Sequence, residues 1–198
     1  MKIKERIELF SRGGFSSSDE WRVSQDQVDE AIRQVDWPWH SGKFTILAEK
    51  HGNGVKDIKV PCIKKLVSFG WHEEGFPRTP ESVLIPGDLD AFYNSDLGCI
   101  GFEWETGNIS SSHRAVNKLL WALKEKILVG AFLVVPSDDF YRYLTDRVGN
   151  IKELRPYIPL WKSYPIENAA FNILVIEYDS ISSSVLRIPK GTDGRALV

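Results

Sequence analysis

Cysteine is nearly absent: Cys62 and Cys99 are the only two in 198 residues. Two cysteines build no disulfide framework, and their spacing matches no zinc motif. Cys99 lies in a strand-like stretch, where a small buried hydrophobe is the expected role. Long hydrophobic runs are missing too. The opening MKIKERIELFSRGG has no signal-peptide core, and the longest apolar segment, Ile127 to Val135, is too short to span a membrane. A reducing, cytoplasmic setting is the expectation. Nor is there an excess of charge of one sign: the formal net charge is -2. Any nucleic-acid binding must then come from a local basic cleft rather than a basic body. No G-x-S-x-G, Walker loop or G-x-G-x-x-G occurs, and the histidines are scattered without metal-pair spacing. Among them, His113 reads as a packing residue.

What is present is ordinary globular composition, 42% hydrophobic and 26% charged. The length suits one domain over 1–198 with a sizeable core. The chain reads as irregular through Ser18. A helix is expected from Ser24, with Gln27 completing a capping box and Val28, Ile32 and Val35 inward. Further elements are a short strand at Lys43 to Leu47, a helix at Pro61 to Phe69, and strands at Gly87 to Tyr93 and Leu97 to Glu105. Ser110 to Lys126 has a helical period with Ala115, Leu119, Ala122 and Leu123 inward and Lys118 outward. Strands follow at Val129 to Val135, Phe171 to Glu177 and Val185 to Ile188, and Ser137 caps a helix that stops at Gly149. This order predicts a mixed central β-sheet flanked by α-helices.

The stretch GCIGFEWETGNISSSHRAVNKLL, Gly98 to Leu120, carries the chemistry. Alternation along a strand puts Ile100, Phe102 and Trp104 on a core face and Gly101, Glu103 and Glu105 on the other. Antiparallel neighbours lie ~4.8 Å apart, so Asp90 on the preceding strand can meet Glu103. Converging carboxylates suit a hard divalent ion that activates water and stabilises a leaving oxygen. Taken alone, such a pattern is more often a solvated face. Just after it, Asn108 and Ser110 stand at a helix start with Arg114 one turn in. Helix N-termini attract phosphate, and these side chains contact phosphates or base edges.

FEWETGNISSSHRAVNKLL closely resembles the active-site segment of the BamHI-like type II restriction endonucleases. TDRVGN, the preceding YRYL and the later IPKGTDG resemble the same family, as do WPWHSGKFTI and GNGVKDIK more loosely. The resemblance covers roughly Trp37 to Gly194. The family belongs to the PD-(D/E)xK nuclease superfamily, in the variant with glutamate where a lysine is usual, and Glu105 occupies that place. It implies a restriction-endonuclease-like α/β core, with Asp90, Glu103 and the Trp104 carbonyl as metal ligands. Glu105 would position or deprotonate the attacking water. In a W-x-x-E setting, WHEE offers Glu74 as a further ligand, with Glu73 its rival. The shorter spacer before Glu103 leaves Asp88 as a rival to Asp90.

The resemblance further implies that Asn108, Ser110, Arg114, Asp146 and Arg147 read DNA. Arg147 can donate twice to guanine, and Asp146 can accept from cytosine N4. Residues 189–198 would form a C-terminal arm near the minor groove, with Gly191 and Asp193 in contact. The implied target is the palindrome GGATCC, cut after the first G to leave a 5′ overhang, with two Mg²⁺ per active site. A palindrome implies a homodimer, with the Ser110–Lys126 helix as its candidate face. A cognate methyltransferase would protect the bacterial host. Three alternatives remain: a nuclease of this fold with another target, a DNA-binding protein without catalysis, and a glycoside hydrolase. The last rests on paired carboxylates and seven tryptophans.

Overall fold

The computed structural model describes residues 1–77 and 86–190. Its centre is a six-stranded mixed sheet. In chain order the strands are β1 (Lys2–Arg12), β3 (His72–Gly75), β4 (Leu89–Ser95), β5 (Gly98–Trp104), β6 (Gly130–Pro136) and β7 (Ala169–Glu177). In space they run β1-β7-β6-β5-β4-β3. β5, β6 and β7 are parallel, and the outer pairs are antiparallel. A small parallel pair joins β2 (Thr45–Leu47) to β8 (Ser180–Ser182). No helix among the described residues is long and apolar enough to cross a membrane.

Both faces of the sheet are covered. Helices α1 (Asp19–Arg33) and α2 (Val60–Ser68) pack Val28, Ile32, Cys62 and Leu66 with Ile100, Phe102 and Trp104 on one side. On the other, α3 (Ile109–Lys124) packs Ala115, Val116 and Leu119 with Leu133, Ile173 and Val175. The rest of that layer comes from the short helices α5 (Ile151–Leu154) and α6 (Ile158–Lys162), whereas α4 (Asp138–Tyr141) packs Phe140 on the first side, against Phe44. The result is the mixed, helix-flanked α/β core expected from the sequence.

Several local expectations change. The N-terminus is an eleven-residue strand, not irregular chain. Register shifts at Ile3/Glu5 and Glu8/Phe10 break its alternation, so Leu9 and Phe10 are both buried and the period of two is hidden. α1 starts at Asp19, capped by Ser18, whose hydroxyl accepts from the Trp21 N–H at 3.1 Å. Ser24 is buried inside that helix, and Gln27 accepts from the Trp71 indole at 2.8 Å instead of closing a capping box. The helix capped by Ser137 ends at Tyr141, and Thr145–Gly149 is turn and extended chain. The late strand falls at Ser180–Ser182 rather than at Val185–Ile188. Finally, the second face of β5 is dry along its first half. At Gly101 an added Cβ would come within 2.7 Å of Leu128, so α3 and its following turn close over it.

Candidate active site

The edge of the sheet formed by β3, β4 and β5 gathers the acidic residues. Ala91 stands opposite Phe102, which brings Asp90 abreast of Glu103. The Trp104 N–H donates to Asp90 Oδ2 at 2.8 Å, locking that carboxylate to the end of β5. Glu74 lies between Glu73, opposite Ala91, and Gly75, opposite Leu89. It is therefore level with Asp90, whereas Glu73 follows the opposite face. Glu74 is exposed and adopts a left-handed backbone, φ 43°. Asp88 is exposed, and its carbonyl accepts from Lys118 Nζ at 2.5 Å. A cleft of about 460 Å³ opens here, lined by Lys59, Asp90, Trp104, Glu105, Ser111 and Arg114 among others.

The cleft is electrostatically tense. Glu103 is only 4% exposed. Burial pushes its carboxyl up to about 7, aided by Asp90 and Glu105, while the Lys118 ammonium pulls it down. Glu105 is likewise pushed up to about 7, by burial first and then by Asp90. Lys118 was expected to point outward. Its side chain is instead 11% exposed and paired with Glu103, because the long stem reaches back from α3 over the sheet. Lys59, at the start of α2, pairs with Asp90. Lysine thus offsets charge that three crowded carboxylates cannot shed.

The donors are all oxygen, as a hard divalent ion such as Mg²⁺ prefers. Glu103 Oε1 is buried against the Lys118 ammonium, so this oxygen already holds one cation, and a metal ion would sit beside that lysine or displace it. Among the described residues no three acidic groups close on one point. One consequence is measurable. The unfolded chain releases these protons near 4.5, whereas folded Glu103 and Glu105 hold them to about 7. In EDTA the melting temperature should therefore fall as pH rises from about 5 to about 8. Glu105→Gln should flatten that slope in a calorimetric series, and a flat parent profile would contradict the crowding.

The polar residues after β5 share one surface with the turn that carries Asp146 and Arg147. Asn108 caps α3, its Oδ1 accepting from the Ser111 N–H at 3.0 Å. It bridges Val148, and the Gly149 N–H donates to the Gly107 carbonyl at 2.8 Å. Asn108, Ser110, Arg114, Asp146 and Arg147 are all exposed beside the cleft. Among the described residues Arg114, Asp146 and Arg147 make no ion pair, so their charges are free for a ligand. Gly191 and Asp193 lie outside the described residues. His113 packs edge-on against Tyr157 and Trp161, at 4.6 and 5.8 Å, and takes no part in the cleft.

The family model described as "Restriction endonuclease BamHI" matches residues 1–195. The chain belongs to the BamHI family of type II restriction endonucleases. It is 43% identical over 197 residues to the type II restriction enzyme OkrAI of Oceanobacter kriegii, covering 100% of both chains. It is 38% identical over 180 residues to BamHI of Bacillus amyloliquefaciens, covering 85% of this chain and 80% of that one. In fold it is similar to BglII bound to a DNA 16-mer, with a TM-score of 0.64 over 90% of this chain and 79% of that one at 9% identity. Free BglII gives 0.54 over 90% and 81% at 10% identity.

As a member of the BamHI family the protein is a DNA-binding hydrolase, a site-specific deoxyribonuclease. Two residues of its cleft escaped the sequence reading. Lys59 was hidden among surface lysines, although its place just before Val60-Pro61, at a helix start, was a signal. Lys118 obeyed the helical period for an outward residue, and only its length allows the return to Glu103.

Proposed function

We propose that the protein hydrolyses phosphodiester bonds of double-stranded DNA at the palindrome GGATCC, after the first G, in a Mg²⁺-dependent reaction. The observation carrying this reading is that Asp90 and Glu105 line one cleft beside the capped start of α3, with the Glu103 carboxyl abreast of Asp90 and pushed up by burial and by both of them. Asp90, Glu103, Glu74 and the Trp104 carbonyl would hold the metal, two ions per site. When bound, the metal supplies Lewis acidity to the phosphoryl oxygen and offsets the charge of the carboxylates. Glu105 would orient the attacking water and accept its proton, the general-base role open to a carboxylate beside the metal ligands. The positive end of α3 and Arg114 attract the scissile strand's phosphates.

Asn108, Ser110, Arg114, Asp146 and Arg147 would read base edges from the adjoining surface, with Arg147 on guanine and Asp146 on cytosine. Residues 189–198 would form the minor-groove arm, with Gly191 and Asp193 in contact. Two copies related by a two-fold axis would each cut one strand, through an interface including the end of α3. In a bacterial cytoplasm a methyltransferase of the same specificity would protect the host DNA. The GGATCC assignment draws on the 38% identity to BamHI and on the resemblance of Phe102–Leu120 and Thr145–Asn150 to that family, and the 43% identity to OkrAI leaves a different target as the second reading. Digestion of a sequenced plasmid, followed by end mapping, tests the reading. With Mg²⁺, cuts confined to GGATCC are expected. EDTA should abolish them, and discrete ends at another sequence would favour the second reading.

A further inference from the structure

Behind the proposed reading surface, Asn53 is fully buried. Its Nδ2 donates to the Leu47 carbonyl and to the Tyr143 carbonyl, both at 3.0 Å. Its Oδ1 accepts from the Ile188 N–H at 3.3 Å. The backbone on either side is tied in the same way. His51 N–H donates to Arg142 O at 3.0 Å and Asn53 N–H to Tyr143 O at 2.9 Å, while Gly54 N–H reaches Ile188 O at 2.8 Å and Lys56 N–H reaches Pro189 O at 3.1 Å. Residues 51–56 thus run as a seam between two segments far apart in sequence. Fully buried asparagine is expensive unless its groups are matched, and here both ends of the amide are used across that seam.

What lies beyond each tie gives the seam its meaning. Three and four residues after Tyr143 come Asp146 and Arg147. Pro189 opens the C-terminal arm. In the other direction the same segment continues to Lys59, which pairs with Asp90 in the cleft. We propose that Asn53 is a positioning residue for sequence discrimination: its amide holds the Asp146–Arg147 turn and the root of the arm in one frame with the catalytic cleft. This rests on the recognition roles proposed above. Readers held in one frame engage bases only when the scissile phosphate is in place, so a loosened frame loses selectivity before it loses chemistry.

Two variants separate the parts. Asn53→Ala removes all three side-chain ties. Gly54→Ala keeps the Asn53 side chain and its ties to Leu47 and Tyr143, but its Cβ would meet Pro189 O at 2.0 Å and Lys190 Cα at 2.4 Å, pushing the root of the arm off the seam. The assay is single-turnover cleavage of the mapped target and of sites one base pair removed, with Arg147→Ala alongside and with circular dichroism and melting as checks of folding. Both variants are expected to narrow the ratio of target to near-target rates by roughly tenfold, Asn53→Ala at least as much as Gly54→Ala, because near-target sites lose less than the target. Equal losses on all sites in both variants, with Arg147→Ala still losing selectivity, would overturn the role of Asn53 and leave the recognition reading standing. An Arg147→Ala protein as selective as the parent would overturn the recognition reading, and the inference with it. Should Asn53→Ala fail to fold, the Gly54→Ala ratio decides alone: unchanged selectivity there would overturn the inference.

Discussion

Glu105→Ala should lose cleavage by roughly a thousandfold or more, the loss expected when a group that prepares the attacking water is removed. Binding of target DNA in Ca²⁺ should stay within a few-fold of the parent, because the carboxylate adds negative charge beside a polyanion and takes no part in holding it. The fold should survive as well. Glu105 has no ion-pair partner among the described residues, and burial already disfavours its charged form. Gel-shift affinity in Ca²⁺ and single-turnover cleavage in Mg²⁺, measured on one preparation, separate the two effects. Binding lost in step with cleavage would make Glu105 a structural residue instead.

Arg147→Ala should cost ~1–3 kcal/mol at one G·C position of each half-site and far less elsewhere, the signature of a bidentate contact to guanine. The side chain is exposed on a turn, so its removal leaves no cavity. The turn's placement instead depends on Val148 and Gly149, which are tied to Asn108 and Gly107. Competition binding against a panel of single base-pair variants measures the effect. Uniform weakening across the panel, with a shallower salt dependence, would make Arg147 a phosphate anchor.

Much of the cleft was legible because its determinants are local. The alternation in Ile100-Gly101-Phe102-Glu103-Trp104 fixed which side chains share a face. The hairpin from Leu89 to Trp104 is short enough for register to follow from sequence, and the helical period from Ser110 located α3 to within a residue of its start at Ile109. What stayed hidden depended on partners distant in the chain. β1 pairs with β7 some 165 residues away and is bulged twice, so neither its neighbour nor its period could be read locally. Lys118 and Lys59 acquire meaning only when α3 and α2 fold over the carboxylates. Asn53, within GNGVKDIK, drew no reading of its own, because its ties run to Tyr143 and Ile188, far off in the chain.

We propose that Asp90, Glu103 and Glu105 form a cation-dependent centre for cutting DNA. Calorimetric titration of Ca²⁺ into the complex with uncleaved target duplex, for the parent and for Glu103→Gln, tests it most directly. The substitution keeps the volume and removes the charge. Saturable Ca²⁺ binding in the parent, weakened at least roughly tenfold in Glu103→Gln while the duplex remains bound, is the expected result. Equal Ca²⁺ affinity in the two proteins would place the metal elsewhere and contradict the account.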